Sequence, residues 1–156
     1  MLGANGLLPT GLVSASAAQV HQHFVAPFTS STTRQKLYDQ WLLHRQAIET
    51  IIPIERQWLN GSYVTSKVDP GDIDVVTFID GDALNSLAPA QQALLQDLIA
   101  GPSTRDRWGI DSYFVPTYAE GHPDRTTARK AEGYWRRMWT NVKGSTLTKG
   151  FLEVGA

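Results

Sequence analysis

The chain has 156 residues, of which 42% are hydrophobic and 19% charged, and its formal net charge is −1. The length and composition suit one globular domain, predicted as residues 1–156, and the near-zero charge points to no general class of partner. The absence of cysteine excludes disulfides and thiolate metal sites. No apolar run reaches the roughly 18 residues that span a membrane, so we expect a cytoplasmic protein without a membrane partner.

The first fifty residues predict a lead-in followed by one long helix. Residues 1–20 are mostly small and apolar, and we expect them to be extended. A helix over Arg34–Ile51 begins after N-cap candidates at Ser30–Thr33 and ends before Pro53. Its apolar side chains recur at spacings of three or four and form one face: Leu37, Trp41, His44, Ile48 and Ile51.

Two strands flank the most informative stretch of the chain, Trp58 to Asp80. Glu55–Leu59 is predicted as a short strand that leads into Gly61-Ser62. Pro70-Gly71 then breaks the chain, and the apolar run Ile73–Ile79 predicts a buried strand that ends in a turn.

The second half alternates helices and strands. The predicted elements in chain order are a helix from Pro89 with its stop at Gly101, a polar loop over Gly101–Arg107, a strand over Ile110–Val115, a helix from Thr126 or Thr127 to about Thr140, and a strand over Leu147–Val154. The first of these helices carries an apolar stripe: Leu94, Leu95, Leu98 and Ile99. This order predicts a small α/β or α+β domain, with a mixed sheet flanked by helices.

Two carboxylates, Asp72 and Asp74, lie at the start of the buried strand with one residue between them. Alternate residues of a strand point to the same face, so buried together they would repel and raise each other's pKa unless a cation lay between them. Carboxylates beside phosphate groups suit Mg²⁺. Ordinary turn chemistry over Asp69–Asp72 also explains Asp72, but not Asp74, because an unpaired charge inside an apolar run is costly.

A third carboxylate is expected from the next strand. Asp111 lies in the predicted strand after Gly109, and an antiparallel neighbour would bring it beside the pair. Asp80 and Asp82 are rivals, although they follow the end of the second strand. The alternative for Asp111 is a solvent-exposed position at a strand edge.

Phosphate-binding candidates precede the carboxylates. Gly61 allows close approach of a phosphate to the backbone, and Ser62 supplies a hydroxyl and nearby amides. Lys67 supplies a point charge, or is a solvated loop lysine, and the same two interpretations apply to Lys149.

These residues carry a resemblance to a known superfamily. Gly61-Ser62, a spacer of nine residues, and Asp72-Ile73-Asp74 between apolar neighbours resemble the signature of the DNA polymerase beta-like nucleotidyltransferases. The resemblance implies a Gly-Ser turn that holds a nucleoside triphosphate, and two Mg²⁺ ions held by Asp72, Asp74 and a third carboxylate, here Asp111.

A wider set of sequence segments is similar to a group of small bacterial nucleotidyltransferase-like proteins. It comprises Leu8-Pro9-Thr10-Gly11, the longer run from Gly61 to Asp74, and Lys149-Gly150-Phe151. The implied function is Mg²⁺-dependent transfer of a nucleoside monophosphate from an NTP to a hydroxyl of RNA or protein, with Asp111 as general base. A toxin–antitoxin or phage-defence role follows by analogy. The alternative is a catalytically silent binding subunit or antitoxin, and the small size suggests a homodimer or a partner protein.

The segment Arg125–Lys143 is the most basic part of the chain. Six of its residues are Lys or Arg and one is acidic, and Tyr134, Trp135 and Trp139 lie among them. Basic groups with aromatics suit RNA phosphates and bases, or a protein partner. An amphipathic helix with aromatics in the core and arginines in solvent explains the same pattern.

Overall fold

The computed structural model describes residues 1–155. Ala156, the last residue of the predicted domain, lies outside the described residues. Within residues 1–155 the helices and strands are, in chain order, β1 (Gly11–Ala15), α1 (Ala17–Phe24), α2 (Arg34–Glu49), β2 (Arg56–Asn60), β3 (Ile73–Asp80), α3 (Gly81–Asn85), α4 (Pro89–Leu98), α5 (Arg105–Trp108), β4 (Ile110–Thr117), α6 (Arg125–Thr140) and β5 (Gly150–Gly155). This mixed α+β architecture confirms the predicted fold class.

The five strands form one mixed sheet in the order β1-β5-β2-β3-β4. β1 is parallel to β5, β2 is antiparallel to both β5 and β3, and β3 is parallel to β4. The prediction of an antiparallel strand carrying Asp111 is therefore wrong. The connection from β3 to β4 runs through α3, α4 and α5, and a crossover of that length returns the chain in the same direction.

Alternation along the strands divides the core between the two faces of the sheet. On one face Ile73 and Val75 pack in a cluster with Trp41 of α2. On the other face Val76 and Phe78 pack with aromatic side chains that include those of α6. Burial of a large apolar side chain stabilises the fold by roughly 1.5–3 kcal/mol, so both faces hold their helices firmly.

The predicted lead-in is wrong, because residues 1–20 include a strand and most of a helix. β1 gains its hydrogen bonds from β5, which lies far away in the sequence. Helix α1 begins with a capping box, in which Ser16 Oγ accepts from Gln19 N at 3.2 Å and Ser16 N donates to Gln19 Oε1 at 2.8 Å.

Helix α2 confirms most of its predicted face. Leu37, Trp41, His44 and Ile48 are buried, whereas Ile51 lies beyond the helix end and is half-buried. The predicted stripe of α4 is wrong at Leu94, which is 60% exposed, because the helix packs inward through Leu95 and Leu98, with the half-buried Ile99 beside them.

Two short helices occupy positions predicted as a turn and a loop. Asp80 caps α3 by accepting a hydrogen bond from Ala83 N at 2.7 Å. The predicted polar loop holds a 3₁₀ turn, Pro102–Thr104, and then α5. None of the described helices is both long and apolar enough to cross a membrane.

Candidate functional site

Three carboxylates converge where β3 and β4 begin. Asp74 lies directly opposite Asp111 in the parallel register of the two strands, so their side chains leave the same face of the sheet. Asp72 precedes Asp74 by two residues. The structure thus brings together the three predicted acidic residues, whereas the rivals Asp80 and Asp82 lie at the opposite end of β3 and at the start of α3.

The three carboxylates differ in solvent contact. The side chain of Asp111 is 7% exposed and that of Asp72 is 26% exposed. Burial, together with the negative charges of Asp72 and Asp111, raises the pKa of Asp74 from 3.8 to about 6. Lys149 and Arg105 oppose that shift. The site therefore holds excess negative charge, which a cation would relieve.

Arg105 of α5 supplies one cation. Its Nε donates to Asp111 Oδ1 at 2.7 Å and lies 3.0 Å from Asp72 Oδ2, and its Nη2 donates to Asp111 Oδ2. These contacts raise the pKa of Arg105, the hydrogen bond to Asp111 contributing most. The side chain is 50% exposed, so the guanidinium bridges the two carboxylates from the solvent side.

Lys149 supplies a second cation from the opposite side. It is 9% exposed, immediately precedes β5, and donates from Nζ to the carbonyl oxygen of Gly61 at 3.2 Å. Burial lowers the pKa of Lys149, and the charge of Asp74 acts against that shift. Lys149 therefore links the Gly-Ser turn to the carboxylates.

The Gly-Ser turn lies against the carboxylates because residue 61 has no side chain. Gly61 has φ +81°, a left-handed conformation that favours glycine, and a Cβ there would collide with Asp74 Oδ2. Ser62 begins a 3₁₀ turn, Ser62–Val64, immediately after it. The structure thus places Gly61 beside Asp74, and Ser62 follows it directly in the chain.

Lys67 lies elsewhere. Its side chain is exposed on the loop between the 3₁₀ turn and β3, and its backbone, rather than its ammonium, enters the hydrogen-bond network. The structure brings it to no carboxylate of the site.

A buried arginine fixes this loop. Arg34 is 1% exposed and donates only to backbone carbonyls at 2.6–3.2 Å. The acceptors are the carbonyl oxygens of Phe24, Tyr63, Thr65, Lys67 and Val68. Because most of these carbonyls lie between Gly61 and Asp72, Arg34 sets the path of the loop that separates the turn from the carboxylates.

Asn60 is a further residue of the site. It lies opposite Asp74 in the antiparallel pairing of β2 and β3, on the same face, and is 5% exposed. Its Oδ1 is buried and has no hydrogen-bond partner among residues 1–155. A buried carbonyl without a partner is costly, which marks this position as one that a ligand would satisfy.

The donor set fits a divalent cation such as Mg²⁺ in its chemistry: three carboxylates and one unpartnered amide oxygen. Within residues 1–155, however, no group of three or more His, Cys, Asp or Glu side chains is arranged to hold a metal ion. The guanidinium of Arg105 lies between two of the carboxylates. A metal ion between Asp72 and Asp111 would therefore require Arg105 to move.

These features define an α+β domain with an acidic site beside a glycine turn, in which two basic side chains offset part of the negative charge. The chain belongs to the family described as "Family of unknown function (DUF6932)", whose model matches residues 2–155. Comparison with the curated proteins and with the solved structures finds no match. Since the family model spans nearly the whole chain, every residue of the site lies within the matched segment.

Sequence reasoning missed Arg105 and Asn60. Arg105 lies in a one-turn helix that is too short to show periodicity, and its neighbours are polar. Asn60 ends an apolar strand immediately before Gly61, and a polar residue at such a buried position was the available signal.

Proposed function

We propose that the protein is a Mg²⁺-dependent nucleotidyltransferase that moves a nucleoside monophosphate from an NTP to a hydroxyl group of RNA or protein. The observation that carries the proposal is the register of Asp74 opposite Asp111, with Asp72 two residues earlier and Gly61 in contact with Asp74. The motif resemblance to the DNA polymerase beta-like superfamily uses the same residues. A role in a toxin–antitoxin or phage-defence system remains an analogy.

Each residue has a role that its position supports. Asp72, Asp74 and Asp111 would hold Mg²⁺, which when bound neutralises phosphate charge and favours ionisation of the acceptor hydroxyl. Gly61 and the Ser62 hydroxyl and amide would hold the triphosphate.

Asp111 is also suited to accept the proton of the acceptor hydroxyl. Its side chain is buried beside Asp74, and its two oxygens become free to accept a proton once Arg105 moves away from them. Lys149, through Gly61, would keep the turn at a fixed distance from Asp74. Positioning and charge neutralisation then supply most of the rate enhancement.

One observation favours a second candidate, a catalytically silent binding subunit or antitoxin with this fold. Arg105 already satisfies Asp72 and Asp111, so those carboxylates have a partner without a metal. In a silent subunit that ion pair would be permanent, and the protein would act through a protein or RNA partner.

A labelling experiment separates the two candidates. Purified protein is incubated with each NTP labelled at the α-phosphate, Mg²⁺ and a cell extract, beside Asp72→Asn/Asp74→Asn and the control Asp97→Asn. Asp97 is an exposed carboxylate on α4, away from the site. We expect label in a macromolecule with wild type and Asp97→Asn only, and a loss of at least 100-fold in the double variant.

Two results would count against the proposal. Equal labelling by the double variant would show that the three carboxylates do not carry the reaction. No labelling by folded wild-type protein with any NTP would favour the silent subunit.

A further inference from the structure

Helix α6 carries an excess of positive charge. Residues 125–143 include six of the 14 Lys and Arg residues of the chain but only one of its 15 Asp and Glu residues. Because the net charge of the whole chain is −1, the rest of the molecule is acidic. The positive charge is thus concentrated on α6, with five of the six residues, and on the segment that follows it, as in a surface that binds a polyanion.

Some of these basic residues have acidic partners and others have none. Arg125 lies 3.7 Å from Glu120, and Arg136 lies 3.5 Å from Glu132. Arg129, Lys130 and Arg137 are exposed and form no ion pair among residues 1–155. Three like charges on one helix surface repel each other, and a bound anion would remove that repulsion.

The unpaired cations surround a hollow on the outer surface of α6. Its volume is about 440 Å³, and its lining is Thr126, Arg129, Lys130, Gly133 and Arg137. Arg129, Gly133 and Arg137 are spaced by four residues, so they form one stripe about 12 Å long. Gly133 lies between the two arginines, and the Arg137 guanidinium lies close to it, since a Cβ at residue 133 would be 3.4 Å from Arg137 Nη1. We call these five residues the α6 basic face.

Aromatic side chains on the other side of α6 connect the helix to the strand that carries Asp111. Trp135 packs on Tyr113 of β4 with ring centroids 4.6 Å apart, and Tyr113 shares a sheet face with Asp111. Tyr134, 51% exposed, lies beside Trp135 with ring centroids 5.5 Å apart. The helix ends at the site, where Lys149 N donates to Thr140 O at 2.8 Å.

We propose that the α6 basic face binds the phosphates of a single-stranded nucleic acid, with a base stacked on Tyr134, and that this strand is the acceptor. The acceptor part of the proposal rests on the proposed transferase function. A row of cations beside an exposed aromatic ring is the arrangement that binds single strands without sequence preference. An acidic protein would use the cations but not the stacking ring.

Fluorescence anisotropy with labelled 20-nucleotide single strands, one of RNA and one of DNA, tests the binding across a range of salt concentrations. The test variant is Arg129→Gln/Arg137→Gln, and the control is Lys36→Gln/Arg107→Gln, which removes two exposed cations from α2 and α5. We expect the test variant to bind at least ten-fold more weakly and to lower the salt slope by about 1.4, from two phosphate contacts at about 0.7 each.

Tyr134→Ala sharpens the result. We expect it to weaken binding without changing the salt slope, because stacking releases no counterions. A polyglutamate competitor distinguishes the partner class: displacement of the strand at equal charge concentration would indicate an acidic protein and overturn the proposal. Tighter binding of the DNA strand than of the RNA strand would overturn the acceptor role, because the proposed transferase acts on RNA or protein.

Different experimental results would overturn this inference and the proposed function. Asp72→Asn/Asp74→Asn is expected to bind the strand as wild type does. Label transferred to a protein while neither strand binds would overturn the inference alone. Strand binding by α6 without any label transfer would overturn the transferase and the acceptor role. Equal loss of affinity in the control variant would show that α6 has no special part in binding.

Discussion

Two arginines flank the loop between Gly61 and Asp72, and they hold it in different ways. Arg34 is 1% exposed and donates only to backbone carbonyls. Arg105 is half-exposed and bonds to carboxylates, which are also ligands of divalent metal ions. The comparison indicates that the Arg34 side of the loop is a fixed support, whereas the Arg105 side is exchangeable.

The largest expected effect comes from replacing Arg34, which supports the fixed side of the loop. Arg34→Lys keeps a charge, but one ammonium cannot reach the five carbonyls, so several buried acceptors lose their donors. We expect unfolding in urea to show a loss of about 3–5 kcal/mol.

The exposed α6 residue provides the matched control for that change. Arg129→Lys is expected to alter stability by less than about 0.5 kcal/mol. A loss below about 1 kcal/mol in Arg34→Lys would mean that Arg34 does not support the loop as described.

The next effect concerns the charge at the carboxylate site. The pKa of Asp74 rises from 3.8 to about 6 on folding, so between these pH values the folded state holds a proton that the unfolded state releases. Wild-type stability therefore falls as pH rises through this window, by about 3 kcal/mol at most. We expect Asp74→Asn to lack this fall and to be the more stable protein at pH 7.5.

Urea unfolding at pH 4, 5, 6 and 7.5 without divalent cations measures this effect. Asp97→Asn controls for loss of an exposed carboxylate and is expected to follow the wild-type curve. The same pH dependence in wild type and Asp74→Asn would mean that the pKa of Asp74 is not the source of the fall in stability.

The sequence predicted the acidic residues of the site but not their environment. Asp72 and Asp74 were recognisable because a charge inside an apolar run needs a partner, and Asp111 because it lies in a neighbouring strand. The direction of β4 depends on how its long connection packs, which residue spacing does not encode. Arg105 was hidden because a single helical turn carries no periodic pattern.

The remaining errors in the fold have a similar origin. β1 was predicted as part of an extended lead-in because its pairing partner, β5, lies at the other end of the chain. Leu94 looked equivalent to Leu95 and Leu98, although its side chain points away from the core. In each case contacts between distant segments, rather than local preference, decided the outcome.

The exchangeable character of the Arg105 side is tested most directly by titration with Mn²⁺, followed by electron paramagnetic resonance. Wild type, Arg105→Gln and Asp74→Asn are compared at neutral pH. Because Arg105 competes for Asp72 and Asp111, we expect Arg105→Gln to bind Mn²⁺ about ten-fold more tightly than wild type, or about 1.4 kcal/mol, and Asp74→Asn to bind it more weakly. Equal or weaker binding by Arg105→Gln would contradict the account, since the guanidinium would then not occupy the position of the cation.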